Sequence, residues 1–136
     1  MARRPKSIVL DSWAVLAYLE DEDTGPQVAN IIASAHEHNI PLLMSVINTG
    51  EVWYILAREI SETEADKAID TLRLLGIEFV DADWKLARSA GTFKAKHRMS
   101  FADCFAAALA KEHKAELVTG DKEFKQVESE IKISWL

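Results

Sequence analysis

Cysteine is all but missing from this chain. Cys104 stands alone, which excludes an intrachain disulfide and a cysteine-built zinc site. A lone thiol suits a reducing cytoplasm. No apolar stretch approaches the ~18 residues needed to cross a bilayer. The basic opening "MARRPKS" leads into too short an apolar run for a secretory signal. No internal repeat, low-complexity tract or linker interrupts the sequence, so residues 1–136 read as one domain. A chain of this size hides roughly two-thirds of its unfolded surface without staples. Positive charge is also absent from one long region: no Lys or Arg lies between Lys6 and Arg58, a span that carries seven acids.

The formal net charge is −6, and taken alone this speaks against a nucleic-acid partner. The distribution says more. Between Trp84 and Ala102 the balance reverses, with Lys85, Arg88, Lys94, Lys96 and Arg98 and no acid among them. Such a stripe is either an ordinary solvated helix face or a surface that holds a polyanionic backbone.

What is present is an alternation of short apolar runs and helical patterns. "SIVL" reads as a buried strand and "SWAVLAYLE" as a helix, with Ser12 or Asp11 to cap it. Thr24 to His38 is helical, with Pro26 in the first turn. "PLLMS" is a second strand, after which Ser45 caps a helix through "VINTGEVWYILARE". "SETE" at Ser61 to Glu64 is a capping box, and Gly76 closes the helix that follows. "IEFV", "AELVT" and "IKISWL" supply further strands, separated by helices capped at Asp83 and Ser100. This order predicts an α/β fold: three layers, α/β/α, around a mostly parallel twisted sheet of four to five strands. Sheets of that kind bind ligands beyond the carboxyl ends of their strands.

Acids stand at those ends. Asp11 directly follows the first strand, and Asp121 lies just past "ELVT". Glu51 is the only charge in "VINTGEVWYILA", which predicts a buried carboxylate, and Asp103 opens the nearly uncharged helix "FADCFAAALA". Each has an ordinary structural reading: Asp11 as a helix cap, Asp121 in a turn, Asp103 against a helix dipole, Glu51 as a partly exposed side chain. Together they are harder to dismiss, because carboxylates gathered at one sheet edge repel and need a cation. Oxygen ligands without His or Cys suit Mg²⁺ or Mn²⁺ rather than zinc. A metal so held works on phosphate, by activating water and neutralising charge on phosphoryl oxygens.

The segments "VLDSWAVLAYL", "SVINTGEVWYILAR", "SFADCFAAALAKEH" and "ELVTGDKEF", in that order, resemble the PIN domain, and within it the VapC-type toxin ribonucleases of prokaryotic toxin–antitoxin pairs. The resemblance covers nearly the whole chain. It implies a Mg²⁺- or Mn²⁺-dependent endoribonuclease that leaves 5′-phosphate and 3′-hydroxyl ends, forms a homodimer and is inhibited by a cognate antitoxin. By position, Asp11, Glu51, Asp103 and Asp121 match the family's acidic quartet. Thr119 matches the hydroxyl residue before the last acid, Ser12 the one after the first, and Asn48 the turn ahead of the glutamate. The basic stripe from Lys85 to Arg98 ends five residues before Asp103 and is then the expected RNA contact, close to the metal.

Two other readings stand beside this one. A phosphatase would use Asp11 as nucleophile, but such enzymes want a second Asp two residues on, where Trp13 stands here. A binding module would keep the metal for stability and cut nothing.

Overall fold

The computed structural model describes residues 4–136; the first residues of the basic opening lie outside that range. Five strands form the sheet: β1 (Ile8–Leu10), β2 (Leu42–Ser45), β3 (Ile77–Val80), β4 (Glu116–Thr119) and β5 (Lys132–Trp135). All neighbouring pairs are parallel, in the order β3-β2-β1-β4-β5. The central strands are apolar throughout because both faces are covered. Ile8, Leu10, Leu42, Met44 and Val118 point to one side, Val9, Leu43 and Leu117 to the other, as the two-residue period of a strand requires.

The first face is packed by α1 (Ser12–Leu19), α2 (Gly25–Glu37), α3 (Val46–Glu59) and α4 (Glu62–Leu74), through Val15, Val28, Ile32, Val52, Leu56 and Leu72. The second is packed by α5 (Trp84–Lys96) and α6 (Phe101–His113). Helix α6 is buried from Asp103 through Ala110, and its Ala106, Ala107, Ala108 and Ala110 let it lie close against the sheet. The three-layer α/β/α expectation holds, with the sheet wholly parallel rather than mostly so. No helix among the described residues is long and apolar enough to cross a membrane.

Local signals act where they were read. Ser45 Oγ accepts from the Ile47 and Asn48 amides, Ser61 Oγ from Glu64, Asp83 from Leu86 and Ser100 Oγ from Asp103. Each satisfies a backbone donor that a helix start leaves open. Gly76 adopts φ 80° just after α4, the left-handed turn that favours glycine there. At α1 the cap is Asp11, not Ser12, whose hydroxyl is turned elsewhere. A 3-10 helix at Lys122–Val127, between β4 and β5, had no counterpart in the sequence pattern.

Strand order decides where a site can form. The chain runs outward from β1 through β2 to β3, then returns to place β4 on the other side of β1. The reversal opens a crevice beyond the carboxyl ends of β1 and β4, the preferred ligand position of open α/β sheets. Asp11 ends one of those strands and Thr119 the other.

Candidate metal centre

Asp11 stands at the carboxyl end of β1, beside that crevice but not among the residues that line it. It is 1% exposed. Its Oδ1 accepts from the Ala14 amide at 2.9 Å and its Oδ2 from the Thr119 hydroxyl at 2.5 Å. Thr119 Oγ1 in turn accepts from the Asp121 amide at 3.0 Å. One hydroxyl thus ties the end of β4 to the end of β1 and sets the backbone of the next acid. Burial drives the Asp11 carboxyl up to about 7. The bonds from Thr119 and Ala14 oppose the rise, and the charges of Asp121 and Glu51 add to it.

Asp103 enters from the second helical layer. Its amide is held by Ser100 Oγ at 3.1 Å, which sets the first turn of α6 at the crevice. Its carboxyl rises to about 8, first through burial, then through a hydrogen bond with Glu123 and the charges of Asp121 and Asp11. Asp121 caps the 3-10 helix, accepting from the Glu123 amide at 2.9 Å. That turn brings Glu123 round to the same side, so carboxylate oxygens of Asp103, Asp121 and Glu123 lie within 4.8 Å of one another. Glu123 is the residue that sequence reasoning missed. The available signal was Asp121 itself: an Asp that caps a tight helical turn sets the residue two places on beside it.

Glu51 faces the same cleft from α3, but it is half-buried rather than buried. The face of α3 around it is open, with Ile47 and Tyr54 also exposed. The cleft measures about 420 Å³. Glu51, Asp103, Asp121 and Glu123 line one part, and Trp13, Leu16 and Ile55 the other. The Trp13 indole lies over Gly120, where any Cβ would collide with the ring.

Asn48 locks the three helices that present acids. It is fully buried. Its Nδ2 donates to Ser12 Oγ at 3.3 Å and to the Ala102 carbonyl at 3.1 Å. Ser12 Oγ donates back to the Asn48 carbonyl at 3.2 Å. The starts of α1, α3 and α6 are therefore cross-linked through one amide, one or two residues from Asp11 and Asp103 and a single turn from Glu51. Asn48 Oδ1 has no protein partner.

The basic stripe lies elsewhere. None of Lys85, Arg88, Lys94, Lys96 or Arg98 lines the acidic cleft. Lys94 Nζ donates to the Met99 carbonyl at 2.6 Å, bracing the α5–α6 loop. Arg98 pairs through its backbone with Gln126. Lys85, Arg88 and Lys96 line a separate groove of about 530 Å³ with Trp84 and Lys111.

An acidic set of this kind offers a divalent ion several oxygens and no nitrogen or sulfur. Comparison with known proteins agrees with the architecture. No curated protein is significantly similar in sequence. Among solved structures, the fold matches VapBC2 from Rickettsia felis bound to a promoter DNA fragment, at a TM-score of 0.73 and 20% identity, over 95% of this chain and 98% of that one. It also matches VapC20 of Mycobacterium tuberculosis, a sarcin-ricin loop cleaving toxin, at 0.69 and 22%, over 89% and 95%. FitAcB from Neisseria gonorrhoeae matches at 0.68 and 18%, over 93% and 95%. The sequence pattern of the PIN domain matches residues 8–130. That span takes in every strand but the last and every acid of the cleft, and the chain belongs to the PIN domain family.

Proposed function

We propose that this protein is a divalent-metal-dependent endoribonuclease and the toxin of a toxin–antitoxin pair. The observation that carries the reading is the convergence of Asp103, Asp121 and Glu123 within 4.8 Å, above a buried Asp11 and beside Glu51. The donor set fits Mg²⁺ or Mn²⁺. Carboxylate oxygens within 4.8 Å of one another, with no nitrogen or sulfur among them, would suit such a hard ion. The burial and mutual repulsion that raise Asp103 to about 8 are what a cation among these groups would relieve.

In this reading Asp11, Asp103 and Asp121 hold the ion, and Glu51 is a further ligand or the group that orients the attacking water. A divalent ion, when bound, supplies a water of lowered pKa and charge neutralisation at the phosphate. Thr119 favours the ionised form of Asp11 by donating to Oδ2, against the larger effect of burial, and keeps Asp121 in place through its amide. Ser12 and Asn48 hold the helix starts that aim the acids. Glu123 joins the set as an additional carboxylate, one that needs no general-base role. Of the basic stripe, Lys94 is held by the Met99 carbonyl and Lys85 by Glu112, which leaves Arg88, Lys96 and Arg98 for the RNA backbone. The phosphatase alternative fares worse, because Trp13 stands where such enzymes place a second Asp.

The structural neighbours that are VapBC complexes, and VapC20 as a sarcin-ricin loop cleaving toxin, support a protein partner and an RNA substrate. A homodimer inhibited by its antitoxin follows the same likeness. The test is to incubate partner-free protein with total RNA and Mn²⁺ or Mg²⁺, and to map the ends. New 5′-phosphate and 3′-hydroxyl ends are expected, lost with EDTA and with Asp11→Asn. Equal cleavage by Asp11→Asn would refute the site, and no metal-dependent cleavage by the wild type would refute the activity.

A further inference from the structure

We propose that the groove along α5 is a second RNA-binding site, distinct from the acidic cleft, in which a single-stranded segment stacks a base on Trp84 and lays its phosphates along Arg88, Lys96 and Lys111. The identity of the strand rests on the nuclease reading; the site itself rests on the groove.

Trp84 opens α5 and is 76% exposed. An indole so open contributes little to the core and presents a flat apolar face to solvent. Arg88, Thr92 and Lys96 follow it at intervals of four residues, which places them with Trp84 on one face of the helix, and Lys85 borders that face. At 1.5 Å per residue, Lys85 to Lys96 spans about 16 Å. Lys111 reaches in from the last turn of α6, its ammonium 5.6 Å from the centre of the Phe93 ring. One acid, Glu130, lines the groove and is hydrogen-bonded to His97 at 2.9 Å, while Glu112 pairs with Lys85 at 3.3 Å. Among the described residues no acid pairs with Arg88, Lys96 or Lys111. On a chain with net charge −6, this is a local cationic track with an aromatic platform at one end.

That combination is what unpaired nucleic acid selects. Phosphates follow cations, and any base stacks on an exposed ring. A duplex offers the phosphates but hides the base faces. The acidic cleft is lined by no Lys or Arg, so it holds a polyanion poorly by itself. Asp103 and Lys111 sit at opposite ends of α6, about 12 Å apart along its axis. A strand anchored in the groove therefore continues along the α5–α6 pair toward the acids.

The experiment measures binding of full-length, partner-free protein to a labelled single-stranded oligouridylate in EDTA, where no cutting occurs. Trp84→Ala is expected to weaken binding by about 5- to 150-fold, the range for loss of one stacked base. Trp84→Phe is expected to recover part of the loss. Lys111→Gln is expected to reduce the slope of log affinity against log salt by about 0.7, the release expected for one single-strand phosphate contact. Wild-type affinity in Trp84→Ala, an unchanged salt slope in Lys111→Gln, or competition by duplex as effective as by single strand would each overturn the site. Failure of the nuclease reading looks different: the wild type would bind RNA in the groove but leave it uncut when Mn²⁺ is supplied.

Discussion

The acidic cleft and the basic groove are built by opposite means. The cleft is lined by residues 51, 103, 121 and 123, with Asp11 buried beside it, a set gathered from across the chain as β4 returns to the side of β1. The groove draws mainly on one helix, and its side chains align because an α-helix repeats every 3.6 residues. In the cleft like charges are pressed together and two of them are buried, so Asp11 and Asp103 move far from their usual acidity. In the groove the cations stand in water, where repulsion is screened. A tight, distorted, non-local set is suited to chemistry on a small reacting centre. A loose, solvated, local one is suited to holding a long chain.

The sharpest way to break the comparison is to remove one charge from each region. Asp103→Asn is expected to cut RNA cleavage by on the order of 10³-fold, as when a preorganised charge is lost from a reacting centre. Cleavage kinetics on a defined RNA check this. Should Asp103→Asn retain most of its kcat, the cleft is not the reacting centre. Thr119→Val comes next. It removes the donor that opposes the rise of the Asp11 carboxyl, so that carboxyl should climb further and metal affinity fall by about 10- to 100-fold. Titration of Mn²⁺ against protein stability or activity reads this directly.

Stability against pH tests the electrostatics without any substrate. Asp11 rises from 3.8 to about 7 and Asp103 from 3.8 to about 8 on folding. A carboxyl with a raised folded pKa favours the native state while protonated. That contribution is full below about 4 and is lost as pH climbs through 7 to 8. Metal-free protein should therefore lose Tm between pH 4 and 8, and Mn²⁺ should restore it most at the upper end. Asp103→Asn should flatten the profile. A metal-free Tm that rises over this window would show that the cluster is not under repulsion.

How much of this was legible in the sequence follows the same division. Strands, caps and helix starts are local, and Ser45, Ser61, Asp83 and Ser100 act as their neighbours suggest. The acids at strand ends were legible because parallel sheets gather such ends at one edge. The depth of Glu51 was not. Its helix looks apolar all round, yet Ile47 and Tyr54 are spent on an open face, and the carboxylate shares it. Glu123 was hidden because its approach to Asp103 depends on a 3-10 turn without an apolar period of its own. The basic stripe ends close to Asp103 in sequence, but the helical hairpin carries Lys85 and Arg88 away from it, and Lys94 is turned to a loop carbonyl.

A buried tether should weigh more in stability than any groove charge. Asn48→Ala removes the donors to Ser12 and Ala102 and leaves space in a fully buried position. A cost of about 1–3 kcal/mol is expected in denaturant unfolding, with activity falling as α1, α3 and α6 lose their common anchor.

The smallest effect sharpens the comparison most. Arg88 is exposed, and no ion pair holds it among the described residues. Arg88→Gln should leave stability within about 0.5 kcal/mol of wild type, as for surface positions without a special role. RNA affinity should nevertheless drop at low salt and converge on wild type as salt rises, because the lost contact is one of released counterions. A stability loss comparable with that of Asn48→Ala would mean that the groove is part of the fold's framework. It would then be no solvated track at all, and the division of labour between the two regions would fail at its weaker end.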